Sequence, residues 1–172
     1  GADKTPEQMA NIERYRHIWE PRGVHVHYCL EQFLLGDAQP NPKEYKDWVD
    51  PLLSDPFFNN FETWAVEYMV ADLDKSVGGQ FDVLGYDHDE GKLLLIDLKT
   101  QSKSNKKIYN TDAQLGSYVE ALANHHKIVV DACKTIWSRP NKCIIGEDQD
   151  PLTCRLAWHE SWEKFDLQQN PF

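Results

Sequence analysis

The sequence lacks the marks of several protein classes. No uncharged apolar stretch approaches the roughly 20 residues that a membrane-spanning helix needs, and the N-terminus has no basic segment followed by an apolar one. Only 9 glycines and 9 prolines occur among 172 residues, which excludes a collagen-like or low-complexity chain. We therefore expect a cytoplasmic protein that is not secreted and that has no membrane partner.

Cysteine and positive charge are also scarce. The four cysteines show no CxxC pair and no spacing typical of a zinc or iron–sulfur ligand set, so we expect four free thiols in a reducing compartment. Eighteen basic residues against 28 acidic ones give a net charge of −10, so the whole molecule is not expected to attract a polyanion. Carboxylates that bind divalent cations regain positive charge, and the sign alone therefore does not exclude an anionic substrate.

Helical patterns dominate the first third of the chain, which by its length is expected to form one domain over residues 1–172. Thr5 and Gln8 form a capping box, which predicts an N-terminal helical extension over residues 5–21 that ends at a proline. Two further helices are predicted, one from residue 23 to 35 and one from about residue 42.

From Phe61 onward the spacing of apolar residues becomes that of strands. Leu93 to Ile96 is apolar on both faces, so its strand is expected at the centre of a sheet. Thr111 and Gln114 form a second capping box, which predicts a helix to about residue 123. Strands are predicted over residues 61–70, 80–86, 92–99, 132–138 and 153–158. This order of elements indicates an α/β sandwich around one mixed sheet.

The most informative charged residues lie at the C-terminal end of the predicted central strand. Asp97 and Lys99 alternate with Ile96 and Leu98, so both charged side chains should point to the same side of an apolar element. Burying a carboxylate and an ammonium costs several kcal/mol unless they are paired or bind a metal. A structural ion pair is one interpretation of this pattern, and a catalytic pair is the other.

Two further carboxylates are placed to approach Asp97. Asp82 precedes it by one hairpin, and Glu67 lies on the strand before that. Converging carboxylates repel one another unless a cation lies between them, and with the Leu98 backbone carbonyl they would form an oxygen-rich site of the kind that Mg²⁺ or Mn²⁺ prefers. Lys99 would orient or activate a water, or stabilise charge on a phosphate.

Two segments resemble a nuclease superfamily. Residues 78–83, GGQFDV, and residues 95–100, LIDLKT, are similar to the core of the PD-(D/E)XK nucleases. The resemblance implies a restriction-endonuclease-like αβα sandwich with a catalytic core at about residues 23–160, preceded by extra N-terminal helices. It also implies Mg²⁺- or Mn²⁺-dependent phosphodiester hydrolysis, with the catalytic residues Glu67, Asp82, Asp97 and Lys99.

Two flanking motifs resemble those of the RecB-like exonuclease branch of this superfamily. Gly23 and His27 are similar to its Gly-x-x-x-His motif, which implies that His27 is a metal ligand. Gln114 and Tyr118 are similar to its Gln-x-x-x-Tyr motif, which implies contact with Lys99 or with the nucleic-acid strand. The dispersed cysteines do not match the iron–sulfur set of some members, so no iron–sulfur cluster is expected.

Ordinary structural explanations exist for several of these residues. Taken alone, His27 is more typical of a packed histidine on an apolar helix, and Gln114 with Tyr118 is typical of a helix face that packs on a sheet. Glu62 is a rival to Glu67, but on an ideal strand it is out of phase and should face the opposite side.

Basic residues near these motifs are the candidates for phosphate contacts. Lys103, Lys106 and Lys107 follow the predicted central strand, and Arg14, Arg16 and Arg22 lie upstream in the chain.

The function expected from the residues and the resemblance is DNA hydrolysis. The substrate would be single-stranded DNA or DNA ends, and the setting would be recombination, repair or phage-like replication in a bacterial or phage-like cytoplasm. A homo-oligomer and a helicase or recombination partner are both compatible with the chain. Two alternatives stay open: a non-catalytic nucleic-acid-binding or assembly module on the same fold, and a metal-dependent hydrolase of small phosphoesters.

Overall fold

The structure, a computed structural model, describes residues 4–103 and 107–169. The α-helices within these residues are α1 (Pro6–Arg14), α2 (Arg16–Leu35), α3 (Lys46–Leu53), α4 (Asp112–Ala121) and α5 (Pro151–Gln169). The strands are β1 (Phe61–Asp72), β2 (Val77–Asp87), β3 (Lys92–Thr100), β4 (Ala132–Arg139) and β5 (Lys142–Ile145). Short 3₁₀ turns, Lys43–Tyr45 and Pro56–Phe58, precede α3 and β1, and a π turn, Leu122–His126, follows α4.

The five strands form one mixed sheet in the order β1-β2-β3-β4-β5. All neighbours are antiparallel except β3 and β4, which are parallel and are connected through α4. The predicted meander of three strands and the central position of β3 are confirmed. A mixed α/β fold is therefore established for the chain.

Apolar side chains on the two faces of β3 belong to two separate hydrophobic clusters. Leu94 and Ile96 pack with apolar residues of α2 and α3, whereas Leu93 and Leu95 pack with residues of α4 and with Cys154 of α5. Both faces of the central strand are thus covered by helices, as its uninterrupted apolar sequence predicts.

The N-terminal helices agree with the sequence except at Pro21. The capping box is present, because Thr5 Oγ1 accepts from the Gln8 amide at 3.2 Å and Gln8 Oε1 accepts from the Thr5 amide at 2.8 Å. The predicted end at Pro21 is wrong, since α1 ends at Arg14 and α2 runs through this proline. The proline removes one amide donor near the start of α2, while the buried residues further along α2 hold the helix on the sheet.

Two predictions in the second half of the chain are wrong. The segment 153–158 is part of α5 rather than a strand, and its helix begins where Asp150 Oδ2 accepts from the Thr153 amide at 3.1 Å and from the Thr153 hydroxyl at 2.9 Å. Thr111 does precede α4, but its hydroxyl lies 2.7 Å from the Thr135 hydroxyl and forms no capping hydrogen bond. The Thr111 hydroxyl therefore bonds to Thr135 of β4 instead of to a backbone amide in the first turn of α4.

The helices α4 and α5 meet at very short range. A Cβ atom on Gly116 would lie 1.9 Å from the Cys154 carbonyl oxygen, so the two backbones can pack only around a glycine. All four cysteines are free thiols, as expected. Within the described ranges, no helix is long and apolar enough to span a bilayer.

Candidate active site

Three side chains with cation-binding atoms converge from α2, β1 and β2. One atom from each of His27, Glu67 and Asp82 lies within 4.8 Å of the other two. His27 Nδ1 is 3.2 Å from Glu67 Oε1 and 3.3 Å from Asp82 Oδ1. The imidazole therefore lies against two carboxylates, which come from neighbouring antiparallel strands as the hairpin spacing predicts.

The peptide groups on both sides of Leu98 contact this cluster. The Leu98 amide donates to Asp82 Oδ2 at 2.5 Å, and the Leu98 carbonyl oxygen lies 3.1 Å from His27 Nε2. The backbone carbonyl that the sequence suggested as a ligand is thus adjacent to the imidazole, and the amide of the same residue contacts one of the two carboxylates.

The surroundings of His27 favour its protonated form. Burial lowers the pKa of the imidazole, but the hydrogen bonds and charges of Asp82 and Glu67 outweigh burial and raise it to about 10. In the protein without a cation, one imidazolium proton therefore offsets part of the charge of two carboxylates.

Glu67 reaches the cluster from an irregular part of β1. Its φ is +46°, a left-handed conformation that is uncommon for a residue with a side chain, and a register shift between Thr63 and Ala65 lies just before it. Gln80 on β2 donates a hydrogen bond to Glu67 Oε2. The rival residue Glu62 is not in the cluster and instead lies 2.8 Å from the His88 imidazole.

A second group of polar side chains surrounds Lys99. Its ammonium donates to Asp97 Oδ1 at 3.1 Å and to Gln114 Oε1 at 2.8 Å. Gln114 Nε2 in turn lies 3.2 Å from Asp97 Oδ1 and 3.3 Å from the Tyr118 hydroxyl. The structure therefore places the pair from the end of β3 and the pair from α4 in direct contact.

Asp97 is the most deeply buried carboxylate of the site. Its side chain is 3 % exposed, and Oδ2 lies 3.0 Å from Lys99 Nζ but accepts no hydrogen bond from any described residue. Burial raises the pKa of Asp97 to about 6, against the opposing attraction of Lys99, and repulsion from Asp82 adds to the rise. A buried carboxylate oxygen without a hydrogen bond can accept a further positive charge.

The ammonium and the phenol beside Asp97 keep their protons. Burial lowers the pKa of Lys99, but the charge of Asp97 outweighs it and the net change is upward. Burial raises the pKa of Tyr118. At neutral pH Lys99 is therefore a cation and Tyr118 a neutral hydrogen-bonding group.

The predicted convergence of all acidic residues on one point is only partly realised. Asp97 does not belong to the described group in which ligand atoms lie within 4.8 Å of one another. Its carboxylate is instead hydrogen-bonded to Lys99 and Gln114. The two groups of side chains adjoin through the backbone of β3, because Leu98 separates Asp97 from Lys99.

The basic residues expected to contact phosphates are divided between surface and core. Lys103 and Lys107 are exposed on the connection after β3, whereas Lys106 lies outside the described residues. The prediction for Arg22 is wrong, because its guanidinium is buried over the Trp48 ring at 5.4 Å and lies 3.3 Å from Thr100 Oγ1. Arg14 and Arg16 are both exposed. Arg16 forms ion pairs with Glu13 and Glu20, its neighbours on the N-terminal helices.

Two residues within the GGQFDV segment support the site in ways that the sequence alone does not give. Gln80 holds Glu67, as described above. A Cβ atom on Gly79 would lie 2.8 Å from Tyr118 Cε1, so a glycine leaves room for the aromatic ring. The double glycine in the sequence is the only signal for this close approach.

Comparison with known proteins gives no identification. No protein-family model and no curated protein matches the sequence. The crystal structure of SSO0001 is similar with a TM-score of 0.41 and 16% identity, covering 91% of this chain and 70% of that one. The Silicibacter pomeroyi protein SPO1766, of unknown function, is similar with a TM-score of 0.27 and 14% identity, covering 66% and 82%. Likenesses at this level carry no argument about function.

Proposed function

We propose that the chain is a metal-dependent nuclease of the PD-(D/E)XK type, in its RecB-like exonuclease branch, that hydrolyses phosphodiester bonds in DNA. The proposal depends on one observation. The cation-binding cluster contacts both the amide and the carbonyl of Leu98, and the residues on either side of Leu98 are the buried carboxylate and the lysine. A restriction-endonuclease-like sandwich is part of this proposal.

A purely structural ion pair explains these contacts less well. Asp97 and Lys99 are both largely buried, and replacing a buried ion pair by apolar residues is often neutral or stabilising. Here the pair is also joined to Gln114 and Tyr118, and it leaves one buried carboxylate oxygen without a hydrogen bond within the described chain. Such an arrangement is more typical of a site that binds and reacts than of a site that only stabilises the fold.

The donor atoms fit a hard divalent cation. His27, Glu67, Asp82 and the Leu98 carbonyl would hold Mg²⁺ or Mn²⁺, and Asp97 would be a further carboxylate ligand. One or two ions are expected, and His27 would give up a ring proton on ligation. When bound, the cation supplies polarisation of the phosphate and a lower pKa of its water.

The chain itself supplies the positioning of charge and proton donors. The Lys99 ammonium, fixed by Asp97 and Gln114, would contact a phosphate oxygen or orient the attacking water. Tyr118 would orient the Gln114 amide. Lys103 and Lys107 are exposed and would contact phosphates of the strand, and Lys106 stays a prediction for the same role.

The test is a cleavage panel on end-labelled linear and circular DNA, single- and double-stranded, with matched RNA. Each substrate is incubated with Mg²⁺, Mn²⁺ or EDTA, and the Asp82→Asn variant is the negative control. The proposal predicts cutting that needs the cation and the Asp82 carboxylate, and the fate of the circles separates exonuclease from endonuclease action. Binding without cutting would instead indicate a non-catalytic nucleic-acid-binding module, and cleavage only of a small phosphodiester would indicate another hydrolase.

A further inference from the structure

The connection between β3 and α4 presents an exposed aromatic ring. Tyr109 is 48% exposed, and its ring packs edge-on against Trp137 with centroids 4.9 Å apart and planes at 85°. Trp137 is almost completely buried in β4. The buried indole therefore fixes the tyrosine ring, and an edge-on contact does not cover both faces of the ring.

This ring lies beside the catalytic pair proposed above. Trp137 is the register partner of Lys99 in the parallel ladder of β3 and β4, and partners in a ladder lie on the same face of the sheet. The Tyr109 phenol is close enough for the charges of Lys99 and Asp97 each to act on its pKa, which burial raises. The exposed ring and the ammonium thus border the same part of the surface.

The neighbouring side chains suit a flexible polyanion with aromatic bases. Ile108 is 56% exposed, and Lys107 just before it is exposed as well. An exposed ring near lysine ammonium groups, here Lys99 and Lys107, suits a single strand, because bases stack on the ring and phosphates pair with the cations. It occurs here in a protein whose net charge is −10.

We propose that Tyr109 is a stacking platform for an unpaired base next to the phosphate that is cleaved. The inference rests on the proposed nuclease function and specifies its substrate as a single strand or a frayed end. In an intact duplex each base is covered by its neighbours, so only a terminal or unpaired base offers a face to the ring.

The test compares Tyr109→Phe and Tyr109→Leu with Tyr15→Leu, a control at an equally exposed tyrosine, 49%, that lies between α1 and α2. The probe is a single strand of about 12 nucleotides that contains 2-aminopurine, beside a closed circular duplex that carries the same sequence and has no ends. Affinity and quenching are measured in EDTA or Ca²⁺, and cleavage in Mg²⁺. Melting temperatures are recorded for every variant.

We expect a loss of affinity and quenching only when the aromatic ring is removed, and only for the unpaired strand. Wild type, Tyr109→Phe and Tyr15→Leu should bind and quench the single strand alike, while Tyr109→Leu binds it at least about 5-fold more weakly and loses the quenching. Affinity for the closed circular duplex should stay the same. Unchanged single-strand binding and quenching by Tyr109→Leu, or an equal loss on the duplex, would overturn the inference and leave the ring as a protein contact or a loop support.

A measurement on the wild-type protein covers the case in which Tyr109→Leu does not fold. A single strand with 5-iodouracil is photo-crosslinked, and the attached residue is identified by mass spectrometry. A crosslink at Tyr109 is expected, and crosslinks only at other residues would overturn the inference. Wild type that cuts no substrate in Mg²⁺ or Mn²⁺ would refute the proposed function itself, whereas cutting that Tyr109→Leu leaves unchanged would refute only the stacking role.

Discussion

The Lys99 ammonium donates a hydrogen bond to Gln114 Oε1 at 2.8 Å, which joins the end of β3 to the first turn of α4. The same glutamine donates to Asp97 Oδ1, so one amide contacts both members of the buried ion pair. The orientation of the Lys99 ammonium group therefore depends on an uncharged residue. Gln114 is a positioning residue in this account.

Removing this amide should slow cleavage more than it weakens binding. We expect Gln114→Ala to lower the single-turnover cleavage rate by about 10- to 100-fold, because a small misplacement of a catalytic group is costly. DNA affinity measured in Ca²⁺ should change by less than about 2-fold, since phosphate contacts dominate binding. Gln168→Ala, at an exposed glutamine of α5, is the control and should cleave like wild type. Equal losses of rate and affinity would contradict a positioning role.

Cation binding should depend on the cluster and on pH. His27→Ala and Asp82→Asn should each weaken Mn²⁺ binding at least about 10-fold in calorimetry. In wild type the pKa of His27 is raised to about 10, so a cation must displace a proton and its affinity should rise from about pH 6 to about pH 8. Chelation with EDTA should reverse the stabilisation that the ion gives.

The control for the cation experiment is Glu62→Gln. Glu62 lies on the same strand as Glu67 but pairs with His88, so its variant should bind Mn²⁺ like wild type. Calorimetry in two buffers of different ionisation enthalpy measures the proton directly. An affinity that is independent of pH, with no proton released, would show that His27 is not a ligand.

A separate group of ionisable side chains connects α5 to α4. Glu120 is buried in α4, and its carboxylate accepts from Arg155 Nε at 2.7 Å and lies 3.2 Å from His159 Nε2. Burial raises the pKa of Glu120, but the contacts with His159 and Arg155 outweigh it and hold the pKa below its ordinary value of 4.5. The ionised form therefore stabilises the folded state.

A carboxylate with a lowered pKa contributes stability above its unfolded pKa, and the contribution is lost as the pH falls through the folded value. We expect Glu120→Gln to lower the free energy of unfolding by about 1–2 kcal/mol near neutral pH. In urea titrations this difference from wild type should shrink as the pH is lowered below 4.5. Glu163→Gln, an exposed position on α5, is the control and should have little effect at any pH. A difference that persists in acid would contradict the assignment.

The contact between α4 and α5 has no space for a side chain. Gly116→Ala should lower the free energy of unfolding by about 3 kcal/mol and the melting temperature by about 6–12 °C, because the added carbon meets the Cys154 carbonyl at 1.9 Å. At Gly78 the nearest atom would be 3.8 Å away, so Gly78→Ala should melt close to wild type. Equal melting temperatures for the two variants would show that the helices separate easily.

The sequence predicts well those features that follow from local pattern. The apolar run of β3 places it at the centre of the sheet, and the spacing of Asp97 and Lys99 puts both side chains on one side. The positions of Gln114 and Tyr118, one helical turn apart, likewise predict their contact. These features depend on period and spacing, which a single sequence contains.

Features that depend on tertiary contacts cannot be predicted from the sequence alone. Pro21 lies inside α2 because the buried face further along stabilises that helix, and Thr111 bonds to Thr135 because β4 lies against it. Residues 153–158 alternate like a strand, but α4 offers them a helix-packing surface at Gly116. The left-handed conformation of Glu67 has no sequence signal, although it helps to place the carboxylate beside His27.

The most direct test of the central claim is the single-turnover cleavage rate of Lys99→Ala in Mg²⁺, beside Lys92→Ala. Both lysines lie on β3 in ion pairs, but Lys92 pairs with Glu90 and Asp148, away from the cluster of His27, Glu67 and Asp82. We predict that Lys99→Ala folds, still binds Mn²⁺ and cuts at least about 100-fold more slowly, while Lys92→Ala keeps the wild-type rate. A folded Lys99→Ala that cuts as fast as Lys92→Ala would contradict the claim that this lysine serves catalysis.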